Sequence, residues 1–324
     1  MKAFLLAAGR GVRFRPVTAA LPKPLLPFLN VPLARAHLQR LKDAGVTEAG
    51  VNLHHLGHQI EQDLSERPGE LPKLSFFRET QLLGTAGALA NAARFLAGDD
   101  VLVVNSDAAI EADFGRLLSA HRASGRLATL LTVENREPER YTPLQAEGDR
   151  ITAFGARCPA PLLYTGVCAL SARALARIPG GERQLLADLW QPMLDEGLDI
   201  GFVRHTGPFS DLGSPRDFLG ASLEALERSG PFPRGAGLFD AGRRLLRLED
   251  SPAVEAFACV LGSASIGPGA RLERCVVFPG VVVGEGARLT RCLAAGGRVP
   301  AGARHEEALL WADGDGAARA LPLA

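Results

Sequence analysis

The sequence lacks the features that mark several specialised classes of proteins. Its 36 Lys and Arg residues match its 36 Asp and Glu residues, so no excess of charge favours nucleic acid or an acidic membrane as a partner. No segment approaches the roughly 20 consecutive apolar residues that a membrane-spanning helix needs. The five cysteines form no Cys-x-x-Cys pair and indicate free thiols in a reducing compartment. These absences predict a cytoplasmic protein that binds neither nucleic acid nor membranes.

Acidic residues are absent from the first 42 positions, which contain eight Lys and Arg residues. The first acid of the chain is Asp43. Only four of the 36 cationic residues are lysines, and one of them, Lys23, lies between two prolines. A neutral chain with such a basic block has the local charge to bind an anionic ligand.

The composition and the periodicity together indicate the fold class. The 324 residues are 47% hydrophobic and 22% charged, an ordinary globular mixture, and this length fits two domains or one large one. Up to residue 135, short apolar strands alternate with helical patterns, beginning with the apolar run Ala3–Ala8. This alternation predicts an α/β fold with a mostly parallel sheet.

An internal repeat occupies the C-terminal part of the chain. The segment 266–275 is echoed 17 residues later by 283–292, and more weakly by 299–308. Short strands that turn every few residues, with aliphatic residues at regular positions, predict a left-handed parallel β-helix of about three coils. The spacing stacks Cys259, Cys275 and Cys292 as a ladder of small buried side chains rather than a metal site.

These patterns divide the chain into four segments. Residues 1–230 form the α/β domain, residues 231–253 a linker, residues 254–312 the β-helix and residues 313–324 a tail. The exposed end or edge of a solenoid needs covering, which favours docking on the α/β domain or a homo-oligomer formed through the β-helix.

The segment after the first strand has the composition of a phosphate-binding loop. Gly9 and Gly11 allow the backbone to approach a ligand closely, so that successive amides can bind phosphate oxygens. Arg13 can form a two-pronged contact with a phosphate, and Lys23 offers a compact positive charge. Two common phosphate loops are excluded. A dinucleotide fold needs Gly or Ala where Phe14 stands, and a Walker loop needs a Gly-Lys-Ser/Thr sequence that the chain lacks.

Five motifs follow one another along the chain. They are Gly9-x-Gly11-x-Arg13-x-x-Pro16-x-Thr18 with Pro22-Lys23-Pro24-Leu25, Leu83-Gly84-Thr85-Ala86-Gly87-Ala88 after Glu79, Asn105-Ser106-Asp107, Tyr164-Thr165-Gly166-Val167, and Ser210-Asp211-Leu212-Gly213-Ser214-Pro215. In this order they resemble the sugar-1-phosphate nucleotidylyltransferases, also called nucleotide-sugar pyrophosphorylases. The resemblance implies a Rossmann-like nucleotidyltransferase domain, and the β-helix is also similar to that of many members.

The resemblance further implies a role for each motif. The implied nucleotide-binding residues are Ala8, Gly9, Gly11, Glu79, Gly84, Thr85, Ala86 and Asn105. The implied catalytic residues are Arg13, Lys23 and Asp107, and the carboxylates of Asp107 and Asp211 would hold Mg²⁺ against the phosphates. The implied sugar-phosphate residues are Arg157, Thr165 and Gly166. The Glu-Lys-Pro sugar motif of some branches is missing, and Arg157 stands in its region.

The implied reaction joins a nucleoside triphosphate to a sugar-1-phosphate. An oxygen of the sugar-1-phosphate attacks the α-phosphorus, and pyrophosphate leaves in line. The nucleophile is mostly dianionic at neutral pH, because the second pKa of a phosphate monoester is about 6. No general base is then required, and catalysis depends on positioning and charge neutralisation.

The sequence leaves the substrates and two other classes of function open. The β-helix resembles that of mannose-1-phosphate guanylyltransferases and favours mannose-1-phosphate with GTP. By contrast, Ala7-Ala8-Gly9 resembles uridylyltransferase branches, including the N-acetylmuramate-1-phosphate enzymes. A non-catalytic regulatory relative would bind a nucleotide sugar without turnover, but it should have lost Lys23 or a metal carboxylate. A hexapeptide-repeat acyltransferase has thin support in three coils without a well-placed histidine.

Overall fold

The protein, known from a computed structural model, is described over residues 1–66, 70–155, 158–228, 236–248, 255–314 and 316–323. It divides into two units, one made of Met1–Gly9 with Ala34–Phe209 and the other of Arg10–Leu33 with Ser210–Ala324. Across the described ranges, no helix is both long and apolar enough to cross a membrane.

The helices and strands are numbered in chain order. Strands β1 to β13 are Lys2–Leu6, Pro27–Phe28, Val31–Pro32, Glu48–Leu53, Lys73–Arg78, Val101–Asn105, Ala108–Ile110, Ala128–Glu134, Leu144–Glu147, Arg150–Phe154, Leu162–Leu170, Ile200–Arg204 and Phe209–Asp211. Strands β14 to β27 are Leu238–Asp240, Leu245–Arg247, Glu255–Phe257, Cys259–Leu261, Ser265–Ile266, Arg271–Glu273, Val276–Val277, Val282–Val283, Arg288–Thr290, Leu293–Ala294, Arg298–Val299, Arg304–Glu306, Ala308–Trp311 and Arg319–Pro322. Helices α1 to α9 are Val17–Ala20, Leu33–Asp43, Gly57–Ser65, Gly84–Asn91, Ala93–Leu96, Phe114–Ser124, Ala172–Leu175, Gln191–Asp195 and Pro215–Glu227. Short 3₁₀ helices lie at Val12–Phe14 and Lys23–Leu25, and a π-helix lies at Leu186–Trp190.

The first unit is built on a nine-stranded sheet in the order β5-β4-β1-β6-β11-β8-β12-β10-β9. The first four of these strands run parallel, and Leu6 at the end of β1 lies opposite Asn105 at the end of β6. Ala3, Phe4 and Leu5 of β1 have no exposed surface, as expected of a central strand covered on both faces. The predicted α/β fold with a mostly parallel sheet is therefore confirmed.

Strand β11 introduces antiparallel pairing into this sheet. It lies between β6 and β8 and runs antiparallel to both. Its register against β8 shifts between Tyr164 and Cys168, and Gly166 within this irregular stretch has a φ of 85°. An irregularity of this kind bends a strand and changes the direction of its side chains near the strand end.

Helix ends follow the local sequence signals. Helix α9 begins with Ser214 as N-cap and Pro215 in the first position, two residue types that favour a helix start. The Asp217 amide donates to Ser214 Oγ at 3.3 Å, and the Ser214 amide donates to Asp217 Oδ2 at 3.1 Å. This reciprocal pair satisfies two backbone donors that the helix itself leaves free.

The second unit contains a parallel β-helix with three strand faces. The strands β15, β17, β20, β23 and β26 form one face, β16, β19, β22 and β25 the second, and β18, β21 and β24 the third. Leu272 and Leu289 of successive coils lie in register and are nearly fully buried. Stacked aliphatic residues thus fill the interior, which confirms the predicted β-helix.

The predicted ladder of cysteines lies inside this β-helix. Cys259, Cys275 and Cys292 have 0% exposure, and the Cys275 amide donates to Cys259 Sγ at 3.4 Å. Burial raises the pKa of the Cys275 thiol well above its usual value, so that this thiol stays protonated.

Antiparallel strands cover both ends of the first face of the β-helix. The hairpin β14–β15 lies at one end, and β27 pairs with β26 at the other. The structure differs here from the predicted linker 231–253 and tail 313–324. Leu245 and Leu246 are buried against the next coil, and β27 closes an otherwise exposed strand edge. The rest of that linker, 231–235 and 249–253, lies outside the described residues, so the domain boundaries stay predictions.

Candidate functional site

The loop after the first strand is held in the second unit by aromatic packing. The ring of Phe14 lies edge-on to Phe218 of α9, with 5.7 Å between the ring centroids, and Phe218 lies 5.5 Å from Phe278 of the β-helix. Phe14 and Phe218 have no exposed surface. The β-helix and α9 therefore fix the base of the predicted phosphate loop.

Gly11 is required by the conformation of this loop. It has a φ of 57°, and a Cβ at this position would lie 3.0 Å from Thr18 Cγ2 and 3.3 Å from Lys23 Cβ. Thr18 Oγ1 donates to the Gly11 carbonyl at 2.7 Å, which closes the loop. Gly9, in contrast, is exposed, and a Cβ there would meet nothing within 4 Å. The structure thus gives a local reason for the second glycine of the motif but not for the first.

Arg13 and Asp211 approach each other in the second unit. Arg13 Nη2 lies 3.8 Å from Asp211 Oδ2, and the side chains are 61% and 17% exposed. Gly213 makes room for the guanidinium, since a Cβ at Gly213 would lie 2.4 Å from Arg13 Nη1. Two motifs almost 200 residues apart in sequence are thereby brought together as an exposed cation beside a mostly buried carboxylate.

Lys23 is the buried cation of this loop. Its side chain stands in a 3₁₀ helix between Pro22 and Pro24, and the residue is only 7% exposed. Lysines are almost never this buried without a partner, because desolvating an ammonium group costs several kcal/mol. Lys23 accordingly has an interaction within the protein.

A buried polar chain connects three segments of the first unit. The Ala7 amide donates to Asn52 Oδ1 at 2.7 Å, and Asn52 Nδ2 donates to Glu79 Oε1 at 2.8 Å. The Leu83 amide then donates to Glu79 Oε2 at 3.0 Å. Asn52 and Glu79 are 4% and 7% exposed. Since both Glu79 oxygens already accept hydrogen bonds, this carboxylate holds the loops around the predicted nucleotide site in place.

The start of α4 is packed against residues 181–184. The amides of Ala86 and Gly87 donate to the Arg183 carbonyl at 3.0 and 3.2 Å, and Thr85 Oγ1 donates to Gln184 Oε1 at 3.2 Å. Gly84 has a φ of 73°, and a Cβ there would lie 2.4 Å from the Arg183 carbonyl oxygen. The amides of Thr85 and Ala86 already have protein partners. The predicted contacts of Gly84, Thr85 and Ala86 with a nucleotide stay predictions.

The Asn105-Ser106-Asp107 motif lies at the carboxyl end of β6. Ser106 Oγ donates to the Leu6 carbonyl at 2.7 Å, which ties the motif to the end of β1. Gly166 packs on Asn105, since a Cβ at Gly166 would lie 2.9 Å from Asn105 Cβ. Asn105 Oδ1 is buried, and no described residue donates a hydrogen bond to it. A buried acceptor without a donor costs about 1–3 kcal/mol, which indicates that a ligand or water satisfies it.

A cavity of about 270 Å³ lies in the first unit. Its polar lining includes Thr85, Asn105, Thr142 and Gln184, and its apolar lining includes Leu144, Phe154, Leu163, Tyr164 and Trp190. The cavity brings together residues of three motifs that the sequence places far apart, namely those of Thr85, Asn105 and Tyr164. An apolar cavity with a few convergent polar groups is the usual form of a small-molecule site.

The structure gives different information on each of the three predicted sugar-phosphate residues, Arg157, Thr165 and Gly166. Arg157 lies outside the described residues. Thr165 is 3% exposed, and its Oγ1 donates to the Leu131 carbonyl at 2.9 Å, so its hydroxyl is already bonded within the sheet. Gly166 supports Asn105, as described above. The predicted sugar-phosphate role of these three residues stays a prediction.

The donor types of the predicted metal ligands fit Mg²⁺, because this ion prefers hard carboxylate oxygens. Asp107 belongs to the first unit and Asp211 to the second. In the part of the chain that the structure describes, no three His, Cys, Asp or Glu side chains cluster so that they could hold a metal ion. The shared metal of Asp107 and Asp211 therefore stays a prediction.

Comparison with known proteins places this site in a family. Residues 2–157 match the nucleotidyl transferase family. The probable mannose-1-phosphate guanylyltransferase 1 of Oryza sativa subsp. japonica is 30% identical over 87% of this chain and 82% of its own length. The chain belongs to the nucleotidyl transferase family. The mannose-1-phosphate guanylyltransferase of Mycobacterium tuberculosis is 29% identical to this nucleotidyl transferase over 87% of this chain and 80% of its own length. Another relative, the mannose-1-phosphate guanylyltransferase catalytic subunit beta of Danio rerio, is 29% identical over 86% of this chain.

Solved structures show the same fold as this nucleotidyl transferase. The crystal structure of HddC from Yersinia pseudotuberculosis matches with a TM-score of 0.60 and 21% identity, over 69% of this chain and 99% of that chain. The structure of HddC complexed with GMP-PN matches with a TM-score of 0.59. The family and the relatives confirm the predicted enzyme class, a sugar-1-phosphate nucleotidyltransferase. Enzymes of this family generally use a divalent metal.

The sequence did not predict three residues of the candidate site. Asn52 holds the buried polar chain, and its signal in the sequence was a lone amide inside the apolar strand β4. Gln184 and Trp190 line the cavity from a segment that contains none of the five motifs. Trp190 is one of two tryptophans in the chain. Their place beside Asn105 depends on tertiary packing that no local pattern reports.

Proposed function

We propose that this enzyme transfers a guanylyl group from GTP to mannose-1-phosphate, with release of pyrophosphate. The observation that carries the proposal is its similarity to mannose-1-phosphate guanylyltransferases from three organisms over 86–87% of this chain. That similarity extends beyond the matched nucleotidyl transferase segment, which ends at residue 157. Uridylyl transfer to a hexose- or N-acetylated sugar-1-phosphate is the competing outcome.

The proposed acceptor site is the cavity of the first unit. Its size suits one sugar ring, and its lining combines an aromatic wall with amide and hydroxyl groups. Asn105, at the carboxyl end of a parallel strand, presents the buried oxygen that lacks a donor. In open α/β sheets, ligands bind at this edge, which supports binding of the sugar there.

The chain's own residues would catalyse the reaction by positioning and by neutralising charge. An oxygen of the sugar-1-phosphate attacks the α-phosphorus, the bond from this phosphorus to the bridging oxygen breaks, and pyrophosphate leaves with that electron pair. We assign binding of the leaving pyrophosphate to Arg13, and contact with the phosphates around the reacting centre to Lys23. The buried pair Asn52 and Glu79 would hold the loops that surround the nucleotide. The attacking oxygen already carries negative charge at neutral pH, so no side chain has to accept a proton.

Asp107 and Asp211 are the residues that would hold Mg²⁺. When bound, the ion would offset the negative charge that gathers on the phosphate oxygens. Arg13 lies within 3.8 Å of Asp211. The carboxylate that would hold the metal is therefore next to the cation to which we assign pyrophosphate.

The test is pyrophosphate release with Mg²⁺, using GTP, UTP, ATP and CTP in turn against mannose-, glucose-, galactose- and N-acetylglucosamine-1-phosphate. Asp107→Asn should lower kcat/KM at least about 100-fold, the usual effect of removing a group that stabilises charge in the transition state. Asp199→Asn is the matched control, because Asp199 lies in an exposed ion pair with Arg150.

Release with GTP and mannose-1-phosphate alone supports the proposal. Release only with UTP would replace it by the uridylyltransferase alternative. If no pair releases pyrophosphate and the protein still binds a nucleotide sugar, it is instead a non-catalytic regulatory relative.

A further inference from the structure

Trp190 forms the aromatic wall of the acceptor cavity together with two other rings. The Trp190 ring stacks on Phe154 with 6.1 Å between centroids, and Tyr164 meets it edge-on at 4.9 Å. The tryptophan is only 2% exposed, although it lines the cavity. One stacked and one edge-on contact restrict the orientation of the indole plane.

The indole nitrogen of Trp190 is a donor without a protein acceptor. Its Nε1 is buried, and no described residue accepts a hydrogen bond from it. In buried tryptophans this N–H group usually donates a hydrogen bond, since burying an N–H donor without an acceptor is costly. One further lining residue, Asn105, also has a buried atom, Oδ1, without a described partner. The hydroxyl of Tyr164, in contrast, forms a hydrogen bond with Cys168. Two such atoms on residues that line one cavity indicate a polar ligand rather than a packing defect.

The backbone of the segment that ends at Trp190 is also unusual. Leu186–Trp190 is a π-helix, in which the Gln191 amide donates to the Leu186 carbonyl five residues back. Such turns are rare and occur frequently at functional sites, because the extra residue redirects the side chains that follow. This observation is independent of the unpaired nitrogen, and both point to Trp190.

The described lining of the cavity also restricts the charge of the ligand. It contains hydroxyl, amide, aromatic and aliphatic side chains, and none of the described lining residues is ionised at neutral pH. Tyr164 stays protonated, because burial raises the pKa of its hydroxyl well above the usual value. An ammonium or carboxylate on the sugar ring would be desolvated here without an ion partner, at a large cost.

We propose that Trp190 is a specificity-determining residue, whose Nε1–H donates a hydrogen bond to an oxygen of the acceptor sugar in a cavity that accepts only neutral sugars. The inference rests on the proposed function, because it assigns the sugar to this cavity. Neutral hexose-1-phosphates are then substrates, whereas sugars with a charged ring substituent are rejected.

The two tryptophans of the chain allow a matched test. Trp190→Phe keeps the ring and removes the N–H donor, and Trp311→Phe makes the same change in strand β26 of the second unit. With the best nucleotide and sugar from the panel above, Trp190→Phe should lower kcat/KM for the sugar about tenfold, the loss expected for one hydrogen bond. The KM for the nucleotide should stay within twofold. Glucosamine-1-phosphate and glucuronate-1-phosphate should react at least about 100-fold less efficiently than the neutral sugar.

A binding measurement covers the case in which Trp190→Phe does not fold. In Trp311→Phe, Trp190 is the only tryptophan, so its fluorescence reports this cavity. With α,β-methylene-GTP present, or the corresponding analogue of whichever nucleotide proves active, the neutral sugar-1-phosphate should change that fluorescence, and inorganic phosphate should not.

The failures of the two proposals are distinguishable. If pyrophosphate is released but Trp190→Phe behaves as Trp311→Phe does, the role of Trp190 is wrong while the proposed function stands. Equal turnover of charged and neutral sugars would also overturn it, and so would unchanged Trp190 fluorescence on addition of an active sugar substrate. If no pair releases pyrophosphate and no sugar-1-phosphate changes the fluorescence, both proposals fall together.

Discussion

Replacement of Asn52 by Ala tests the buried polar chain of the first unit. The substitution removes two hydrogen bonds, of 2.7 Å from the Ala7 amide and 2.8 Å to Glu79 Oε1. It also leaves that amide and one oxygen of a buried carboxylate without partners. Each unsatisfied buried group costs about 1–3 kcal/mol. The free energy of unfolding of the first unit should therefore fall by about 2–4 kcal/mol.

The assay is urea unfolding followed by Trp190 fluorescence in the Trp311→Phe background, because a two-unit chain need not unfold in one transition. With a typical slope of about 2 kcal/mol per molar urea, the midpoint should fall by about 1–2 M. Asn91→Ala is the control, since Asn91 is exposed at the end of α4 and its loss should cost at most about 0.5 kcal/mol. If Asn52→Ala is no more destabilising than Asn91→Ala, the polar chain does not hold these loops.

Three further predictions follow from particular side chains. Burial lowers the pKa of His121 from its usual 6.5, so the stability gained from the neutral imidazole is present above pH 6.5 and is lost as the pH falls through and below that value. Unfolding midpoints between pH 8 and 5 should therefore drop less in His121→Gln than in His58→Gln, and equal slopes would contradict this. Gly213→Ala should displace the Arg13 guanidinium and lower kcat/KM at least about tenfold with little loss of stability, whereas Gly220→Ala, with nothing within 4 Å of its new Cβ, should leave activity unchanged. With an aromatic disulfide reagent, the partly exposed Cys158 should react first in the folded protein and the four buried thiols only on unfolding, and rapid release of more than one thiol would refute the burial of the cysteine ladder.

The helices and strands that could be predicted are those whose sequence signals are local. An apolar run before Gly9 predicted the central strand, and the repeat of 17 residues predicted the β-helix. Ser214 and Pro215 are likewise typical of the helix start that they form in α9. These signals work because a buried strand, a helix cap and a stacked coil each impose their residue types at short range. The order of the five motifs likewise determined the enzyme class, which the relatives confirm.

Which of these residues meet depends on long-range packing. Asn52 bridges Ala7 and Glu79 because β1, β4 and β5 are neighbours in one sheet, and no spacing along the chain reports that adjacency. Trp190 reaches the cavity beside Asn105 through a π-helix, which has no reliable sequence signal. Parts of the predicted linker and tail form the strands β14, β15 and β27 instead. The reason is that pairing with a neighbouring segment satisfies the backbone groups of an exposed sheet edge. Local chemistry therefore determines the elements and the reaction class, whereas long-range packing selects the residues that line the cavity.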